Sequence, residues 1–535
     1  MNATNVTPSS EFAIERLARP TLKGDDGDRV AIVDGSQSIT FDELDRAIDQ
    51  VANGLLALSL TSDDRVAFVG RSCLAGVELM LGAARAGVVA TTINWRLHPN
   101  ELSFVLGDSN PRVVVTTPEF AAVVEGLAEL ARATVLVTGS GGAKDFDAWR
   151  ESQATQPPAG IDYSDDDVVL QLYTSGTTGK PKGAMLTRRS LAACIPDTVK
   201  VWQLDASSVL LSVLPMFHIA GAGAALGVLW GRARLVIDND PSPHNMLRMV
   251  EAHAITNLVL ASVMLQGLIE SPKANDTDLS SIRTVSYGAA PITGQVLKSA
   301  VDKLGCRIVQ AYGLTETTGV LCVLDEHDHS FDPAGPAEVV ALALGRLRSC
   351  GRPRPGVELR IVDIQTGQVL GPDQPGEVQA RTDRLMSGYW NRPEDTTEVL
   401  LADGWFATGD VGELDADGYL FLRDRLKDTI ISGGENIYPT EVEDALQWHS
   451  DVAEVAVIGI PDDKWGETPR AVVVLKPGAS LTGEELIGFA RERIAAYKCP
   501  TSVEFVDALP RNATGKVLRR DLREPYWAGR QRRIN

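Results

Sequence analysis

Residues 173–183 read YTSGTTGKPKG, directly after the apolar, β-prone run VVLQL at residues 168–172. The stretch is therefore predicted to be a loop that leaves a buried strand. Its glycines let the backbone approach a ligand closely, and its hydroxyls, lysines and amide groups are donors to anionic oxygen, which indicates a polyphosphate ligand. The usual nucleoside-triphosphate pattern G-x-x-x-x-G-K-[ST] is not met, because Pro181 follows Lys180.

Strand-like and helical runs alternate on both sides of this loop. Predicted strands at residues 65–69 and 88–92 flank a predicted helix at 75–86, and a further amphipathic helix begins at residues 40–44. The same order returns as a strand at 282–287, a helix at 293–304 and a strand at 307–311. Such alternation predicts an α/β fold with a largely parallel sheet, and the turns after these strands are candidate site walls.

The remaining chain divides into a β-rich part and a second α/β part. Gly/Pro turns multiply from residue 351 to 418, and alternation resumes with strands at 453–458 and 471–475 and a helix at 483–494. We therefore predict a large N-terminal domain of α/β sheets with a β-rich subdomain (residues 1–424) and a small mobile C-terminal α/β domain (residues 425–535).

Composition limits the function classes. The 535 residues exceed a single compact core, and a net charge of −20 argues against a nucleic-acid-binding surface, which would need a basic face. Six scattered cysteines without a C-x-x-C pair predict reduced thiols, and the polar N-terminus shows no signal peptide. No run is long and apolar enough for a transmembrane segment. A cytoplasmic protein is therefore expected.

Eight motifs, taken together, resemble one family. In chain order they are residues 173–183, 214–218 (LPMFH), 287–291 (YGAAP), 312–316 (YGLTE), 408–410 (TGD), 424–427 (DRLK), 432–436 (SGGEN) and 510–516 (PRNATGK). The series resembles the adenylate-forming (AMP-binding) superfamily and, within it, the acyl-CoA synthetases, over residues 40–520. The resemblance implies that a carboxylate attacks the α-phosphate of ATP, giving acyl-adenylate and pyrophosphate, and that the thiol of CoA then displaces AMP.

The resemblance also implies roles for individual residues in nucleotide binding. The β- and γ-phosphates would be held by Thr174, Ser175, Gly176, Thr177, Thr178, Gly179 and Lys182, with Thr315 as a further contact. Adenine would lie between Tyr312, followed by Gly313, and a wall made of Gly288, Ala289 and Ala290. Glu316 would bind Mg²⁺, for which one carboxylate with phosphate oxygens suffices. Asp410 and Arg425 would bind the ribose.

The catalytic step and the second half-reaction would use other residues. By resemblance, Lys516 neutralises charge during adenylation, Thr174 and Glu316 assist it, and Lys427 is the hinge about which the small domain rotates. Gly433 and Gly434 would leave room for pantetheine, with a plain turn between strands as the alternative. His218 would line the acyl pocket, although a histidine on an apolar element is more often part of the core.

The residues leave the acid and the acceptor open. Small residues after His218 suggest a bulky acyl group, so a medium- or long-chain fatty acid is the first expectation and an aryl or steroid-side-chain acid the alternative. The acyl-AMP could instead pass to a carrier protein acting in trans, or the chain could be a nucleotide sensor without catalysis. The oligomeric state is open, a homodimer included. The sequence HDH at residues 327–329 predicts a solvated loop, not a metal site.

Overall fold

The computed structural model describes residues 12–19, 26–174, 181–288, 294–329, 336–433, 435–511 and 516–528. It divides the chain into two compact units. The first unit holds residues 1–358 and 381–406, and the second holds residues 359–380 and 407–535. Two pieces of the β-rich part, residues 359–380 and 407–418, thus group with the C-terminal part. The domain boundary at residue 424 stays a prediction.

Two sheets form the frame of the first unit. The larger has nine strands, in spatial order Arg352–Pro353, Gly319–Leu324, Arg307–Leu314, Thr284–Gly288, Asn257–Ala261, Val209–Ser212, Arg234–Ile237, Val30–Asp34 and Gln37–Thr40. The other has seven, namely Gly388–Tyr389, Lys182–Thr187, Val168–Thr174, Val89–Ile93, Arg65–Val69, Val113–Thr116 and Thr134–Val137. Pairing is parallel in the middle of each sheet and antiparallel towards one or both edges. The predicted α/β class is confirmed.

Helices cover the sheets of the first unit and lie between them. They span Phe41–Ala57, Leu74–Ala86, Pro99–Ser109, Pro118–Glu125, Phe146–Glu151, Arg188–Trp202, Ile219–Trp230, Pro243–His253, Ser262–Glu270, Gly294–Leu304, Glu326–His329, Ala337–Arg346 and Pro393–Val399. The first begins where the sequence predicts: the Thr40 hydroxyl accepts from the backbone N–H of Glu43, whose carboxylate accepts from the N–H of Thr40, a capping box.

The helix Leu74–Ala86 contacts strands of both sheets of the first unit. It is apolar around almost its whole circumference, as a helix buried between two layers must be. Its one acidic residue, Glu78, is fully buried and accepts from the Arg150 guanidinium at 2.6 Å. Burial raises the pKa of Glu78 to about 7 despite this partner. The ion pair therefore compensates only part of the desolvation.

The second unit contains a four-stranded and a five-stranded sheet. The first has the spatial order Glu358–Val362, Gly376–Arg381, Phe406–Leu414 and Leu420–Arg425. The second consists of Glu435–Ile437, Ile430–Ser432, Gly466–Leu475 and Val452–Asp462, with Ser502–Phe505 parallel to Gly466–Leu475. Helices Pro439–Gln447, Gly483–Arg491 and Arg519–Trp527 complete the unit. A separate apolar core forms around the five-stranded sheet.

The cysteines and the helices agree with the compositional expectations. No disulfide joins any of the six cysteines. Cys194, Cys322 and Cys499 are buried, and burial raises the pKa of each of these thiols. Among the described residues, no helix combines the length and the apolar character needed to cross a membrane.

Candidate functional site

The glycine-rich loop connects two antiparallel strands of the first unit. Thr174 ends the strand Val168–Thr174 and is the register partner of Lys182, where the next strand begins. The Thr174 hydroxyl donates to Oε1 of Glu316 over 3.3 Å. The end of the strand Val168–Thr174 therefore contacts the motif at residues 312–316, although more than a hundred residues separate them in sequence. The predicted loop contacts of Ser175, Gly176, Thr177, Thr178 and Gly179 lie outside the described residues.

Glu316 is buried in the short 3₁₀ turn Thr315–Thr317, which follows the strand Arg307–Leu314. Its carboxylate is held by a second hydroxyl, because the Tyr389 phenol donates to the same Oε1 over 2.9 Å. The backbone N–H of Met386 donates to the Glu316 carbonyl at 2.8 Å. No local sequence pattern indicates Tyr389 at this position, because only the tertiary pairing of its two-residue strand brings it here.

Lys182 has a partner that the sequence did not indicate. Its side chain is buried, and its ammonium lies 2.8 Å from Oδ1 of Asp395, in the helix Pro393–Val399. The same ammonium lies 5.3 Å from the centre of the Tyr389 ring. The predicted contact of Lys182 with phosphate stays a prediction, and it would have to compete with this ion pair.

The predicted adenine wall lies at the ends of two neighbouring parallel strands. Gly288 is the register partner of Ala311, the residue before Tyr312, whose side chain is largely buried. A Cβ on Gly288 would lie 2.5 Å from the Ala311 carbonyl oxygen, and one on Gly313 would lie 1.7 Å from that of Gly319. Only glycine fits these two positions. Ala289 and Ala290 lie outside the described residues.

His218 lies immediately before the helix Ile219–Trp230, with its ring beside Phe217. Its Nε2 is buried and receives no hydrogen bond from any described residue. Burial, with a contribution from Arg96, lowers the pKa of His218 to about 4, so the imidazole is neutral at pH 7. Of the small residues that follow, Gly221 serves close packing, since a Cβ there would lie 2.2 Å from the Pro215 carbonyl oxygen. At this position a small residue does not indicate a spacious acyl pocket.

One sequence expectation near this region is wrong. His329 does not belong to a solvated loop: it ends the short helix Glu326–His329 and is buried. Its Nε2 lies 3.1 Å from the Tyr287 hydroxyl, and its Nδ1 lies 2.8 Å from the Asp325 carbonyl oxygen. Both ring nitrogens therefore have polar partners, which compensates the burial of the ring. The charged neighbours in the sequence had suggested exposure.

In the second unit, Asp410 and Arg425 are register partners on the antiparallel strands Phe406–Leu414 and Leu420–Arg425. Arg425 Nε lies 2.7 Å from Asp410 Oδ1, and the carboxylate is buried. The two residues named from the resemblance as a ribose-binding pair are thus adjacent. Their binding of ribose remains a prediction.

Two further predicted residues of this unit lie in turns. Lys427 lies in the 3₁₀ turn Leu426–Asp428, where burial lowers the pKa of its ammonium. Gly433 follows the strand Ile430–Ser432, has a φ of +61° and donates its N–H to the Trp465 carbonyl at 2.8 Å. A Cβ there would lie 2.8 Å from the Trp465 ring, so glycine is needed for structural reasons as well. Gly434 lies outside the described residues.

Lys516 lies three residues before the helix Arg519–Trp527. Its side chain keeps access to solvent, yet partial desolvation by the surrounding protein and the charge of Arg425 lower the pKa of Lys516 to about 8. Asp410 opposes this shift. Lys516 therefore shares its electrostatic surroundings with the predicted ribose-binding pair of the same unit.

Arg519 fixes the start of the helix that follows Lys516. Its guanidinium lies 2.6 Å from Glu443 Oε2 and 3.4 Å from Asp424 Oδ1. Asp424 is buried, and burial raises its pKa to about 6 although Arg519 opposes the shift. Arg523 on the same helix lies 3.1 Å from Asp428 Oδ1. Sequence analysis missed this network, because its members are distant in the chain.

Comparisons with known proteins agree with the motif series. The profile of the family described as AMP-binding enzyme matches residues 23–390, and that of the AMP-binding enzyme C-terminal domain matches residues 441–516. The fatty acid–[acyl-carrier-protein] ligase ScoC of Streptomyces coeruleorubidus is 35% identical, with 94% of this chain and 95% of the relative covered. The feruloyl-CoA synthase of an Amycolatopsis species is 37% identical, with 93% and 96% covered.

Solved structures give the same agreement at the level of the fold. ATP-bound MatB from Rhodopseudomonas palustris superimposes with a TM-score of 0.86 at 31% identity, covering 97% of this chain and 99% of the other. The anthranilate CoA ligase AuaEII in complex with anthranoyl-AMP gives a TM-score of 0.84 at 26% identity, covering 96% and 97%. Sequence and structure thus resemble the same group of proteins along nearly their whole length.

Proposed function

Because this chain belongs to the family of AMP-binding enzymes, we propose that it is an ATP-dependent acyl-CoA ligase for a hydrophobic carboxylic acid, with a medium- or long-chain fatty acid as first choice. A carboxylate oxygen attacks the α-phosphorus of ATP, the bond to the β-phosphate breaks, and pyrophosphate leaves. The sulfur of CoA then attacks the carbonyl carbon of the acyl-adenylate, and AMP leaves. Both steps gather negative charge, which preorganised donors and cations stabilise.

The observation that carries this proposal is the meeting of Thr174 and Glu316. A hydroxyl at the end of the loop strand lies within 3.3 Å of a buried carboxylate from a motif far along the chain. A glycine-rich loop with hydroxyls suits the phosphates, and an adjacent carboxylate suits the cation that accompanies them. This combination supports ATP as the substrate.

The donor set near Glu316 fits Mg²⁺. This cation prefers one or two carboxylates together with phosphate oxygens and water, and Glu316 supplies one buried carboxylate. We propose that Glu316 holds Mg²⁺, which when bound would neutralise charge on the phosphates. Thr174 and Thr315 would orient the phosphates beside it.

Lys516 supplies the mobile positive charge of the adenylation step in this proposal. A protonated ammonium between the carboxylate and the α-phosphate lowers the electrostatic barrier to their approach. Asp410 and Arg425 would bind the ribose hydroxyls, Lys427 would be the hinge, and Gly433 with Gly434 would accommodate pantetheine. His218, neutral at pH 7, would line the acyl pocket without adding a charge there.

Relatives favour two alternatives to a fatty acid and free CoA. ScoC is named as a ligase for a fatty acid and an acyl carrier protein, so a carrier thiol is the second candidate acceptor. Relatives named feruloyl-CoA synthase and indoleacetate–CoA ligase make an aryl acid the second candidate substrate. Both alternatives retain the adenylation chemistry and differ only in the pocket and the acceptor.

A screen of pyrophosphate release over fatty acids of graded length, aryl acids and steroid-side-chain acids tests the proposal. Each acid is assayed with ATP and Mg²⁺, with either free CoA or a phosphopantetheinylated carrier protein as acceptor. We expect AMP and pyrophosphate in equal amounts, with a thioester on CoA. Formation of ADP, or nucleotide binding without turnover by any acid, would overturn the proposal, and a thioester on the carrier alone would replace CoA as the acceptor.

A further inference from the structure

Tyr389 lies in the strand Gly388–Tyr389, which extends the seven-stranded sheet beside the strand Lys182–Thr187. Gly388 and Tyr389 are the register partners of Met185 and Ala184. The phenol thus comes from the strand next to the one in which the glycine-rich loop ends. Both elements belong to the first unit.

The hydrogen bonds of Glu316 are concentrated on one oxygen of its carboxylate. Oε1 accepts from the Tyr389 hydroxyl over 2.9 Å and from the Thr174 hydroxyl over 3.3 Å. Oε2 accepts no hydrogen bond from any residue in the described part of the chain. Two donors on one oxygen fix the rotation of the carboxylate and leave its second oxygen for another ligand.

Tyr389 is itself held by its surroundings. Its backbone N–H donates to the Thr396 hydroxyl over 2.9 Å. Its ring faces the Lys182 ammonium at 5.3 Å, and this ammonium lies 2.8 Å from Asp395. Thr396 and Asp395 are neighbours on the helix Pro393–Val399. These contacts restrict the Tyr389 side chain to the orientation in which its phenol donates to Glu316.

We infer that Tyr389 is a positioning residue for Glu316, which orients the carboxylate so that Oε2 faces the divalent cation bound with ATP. This inference rests on the proposed function, in which Glu316 holds Mg²⁺. In this role Tyr389 acts through Glu316, not by contact with the cation or the nucleotide. Because the carboxylate is already oriented, binding of the cation would not carry the entropic cost of ordering a flexible side chain.

The substitution Tyr389→Phe removes only the hydroxyl and tests the inference. We expect the free Mg²⁺ concentration that half-saturates ATP binding to rise about tenfold, the effect of losing one hydrogen bond to a charged group. Binding is measured by calorimetry without acid, so that turnover does not contribute. The affinity for AMP in the absence of metal should stay unchanged, and a fall in this affinity with no change in the Mg²⁺ dependence would overturn the inference.

A matched control and a second variant separate the possible failures. Tyr163→Phe removes a hydroxyl that donates over 2.6 Å to the carbonyl oxygen of Arg85, which is not a candidate site residue, and should leave the Mg²⁺ dependence unchanged. Glu316→Gln should alter it strongly, and adding Tyr389→Phe to that variant should have no further effect. If Glu316→Gln leaves the Mg²⁺ dependence unchanged, the metal assignment of the proposed function fails. If Glu316→Gln changes it but Tyr389→Phe does not, only the role of Tyr389 fails.

Discussion

Lys516 combines access to solvent with a pKa of about 8, whereas a lysine in water keeps its proton to about pH 10.4. Arg425 is the main charged neighbour that lowers the pKa of Lys516. A lysine in these surroundings changes its charge within the range in which enzymes are assayed. The proposed adenylation role of Lys516 can therefore be tested by substitution and by titration.

We expect Lys516→Ala to slow pyrophosphate formation about 100-fold or more, the size of effect seen when a preorganised charge is removed from a transition state. Thioester formation from supplied acyl-adenylate should be largely retained. Separate assays of the two half-reactions measure this, with Lys476→Ala in the same unit as the control. Equal losses in both half-reactions would contradict the assignment.

The pH dependence of the first half-reaction follows from the same group. Only the protonated ammonium carries the required charge, so pyrophosphate formation by the native chain should fall as the pH rises through about 8. The rate of thioester formation from acyl-adenylate should lack this alkaline decline. An adenylation rate that stays constant to pH 10 would exclude Lys516 as its cationic group.

At the scale of elements, the helix Arg519–Trp527 is attached to the rest of its unit by ion pairs. Arg519 contacts Glu443 and Asp424, and Arg523 contacts Asp428. Asp424 and Asp428 lie close to the predicted hinge Lys427 in sequence, and Glu443 lies on the helix Pro439–Gln447. The lysine proposed for catalysis thus precedes a helix whose position depends on a few buried charges.

We expect Arg519→Met to lower the free energy of unfolding of the second unit by about 3–5 kcal/mol, because it removes the ion pairs to Glu443 and Asp428 and leaves the buried Asp424 carboxylate without its cationic partner. Arg520→Met is the matched control, since Arg520 is exposed and its change should stay within about 0.5 kcal/mol. Hydrogen exchange of strand amides in the five-stranded sheet measures both variants. Equal protection in the two would show that the ion network contributes little.

Much of the fold could be predicted from local sequence. The strand at residues 65–69 was predicted at its observed bounds, and the helix predicted at 75–86 begins one residue earlier, because hydrophobic periodicity and turn residues decide such elements locally. Tyr389 and the pairing of Lys182 with Asp395 could not be predicted. They depend on strand register between segments about two hundred residues apart, which no local pattern encodes. The burial of His329 depends on its contact with the Tyr287 hydroxyl, whereas its charged neighbours in the sequence indicate exposure.

At the scale of the whole molecule, the two units are interleaved in sequence. Residues 359–380 belong to the second unit although the first unit resumes at residues 381–406. The strands Glu358–Val362 and Gly376–Arg381 share a sheet with Phe406–Leu414 and Leu420–Arg425. No single break of the chain can therefore separate the two units, because each unit consists of two segments that alternate in sequence.

Truncation tests how this sheet depends on its strands. A fragment of residues 1–424 keeps nearly all of the four-stranded sheet, whereas a fragment of residues 1–406 leaves two of its strands with an open edge. We expect the longer fragment to unfold cooperatively without aggregating, and the shorter one to aggregate. Light scattering and thermal circular dichroism compare them. Similar behaviour of both fragments would contradict a structural dependence on the last two strands.

Each unit contains at least one buried cysteine that can report its transient opening. Cys194 and Cys322 lie in the first unit and Cys499 in the second, and all three thiols are shielded and resist ionisation in the folded chain. An alkylating reagent can reach them only when the surrounding structure opens. The alkylation rates of these cysteines, followed by mass spectrometry on the unaltered protein, would thus report the rate of transient opening of each unit separately.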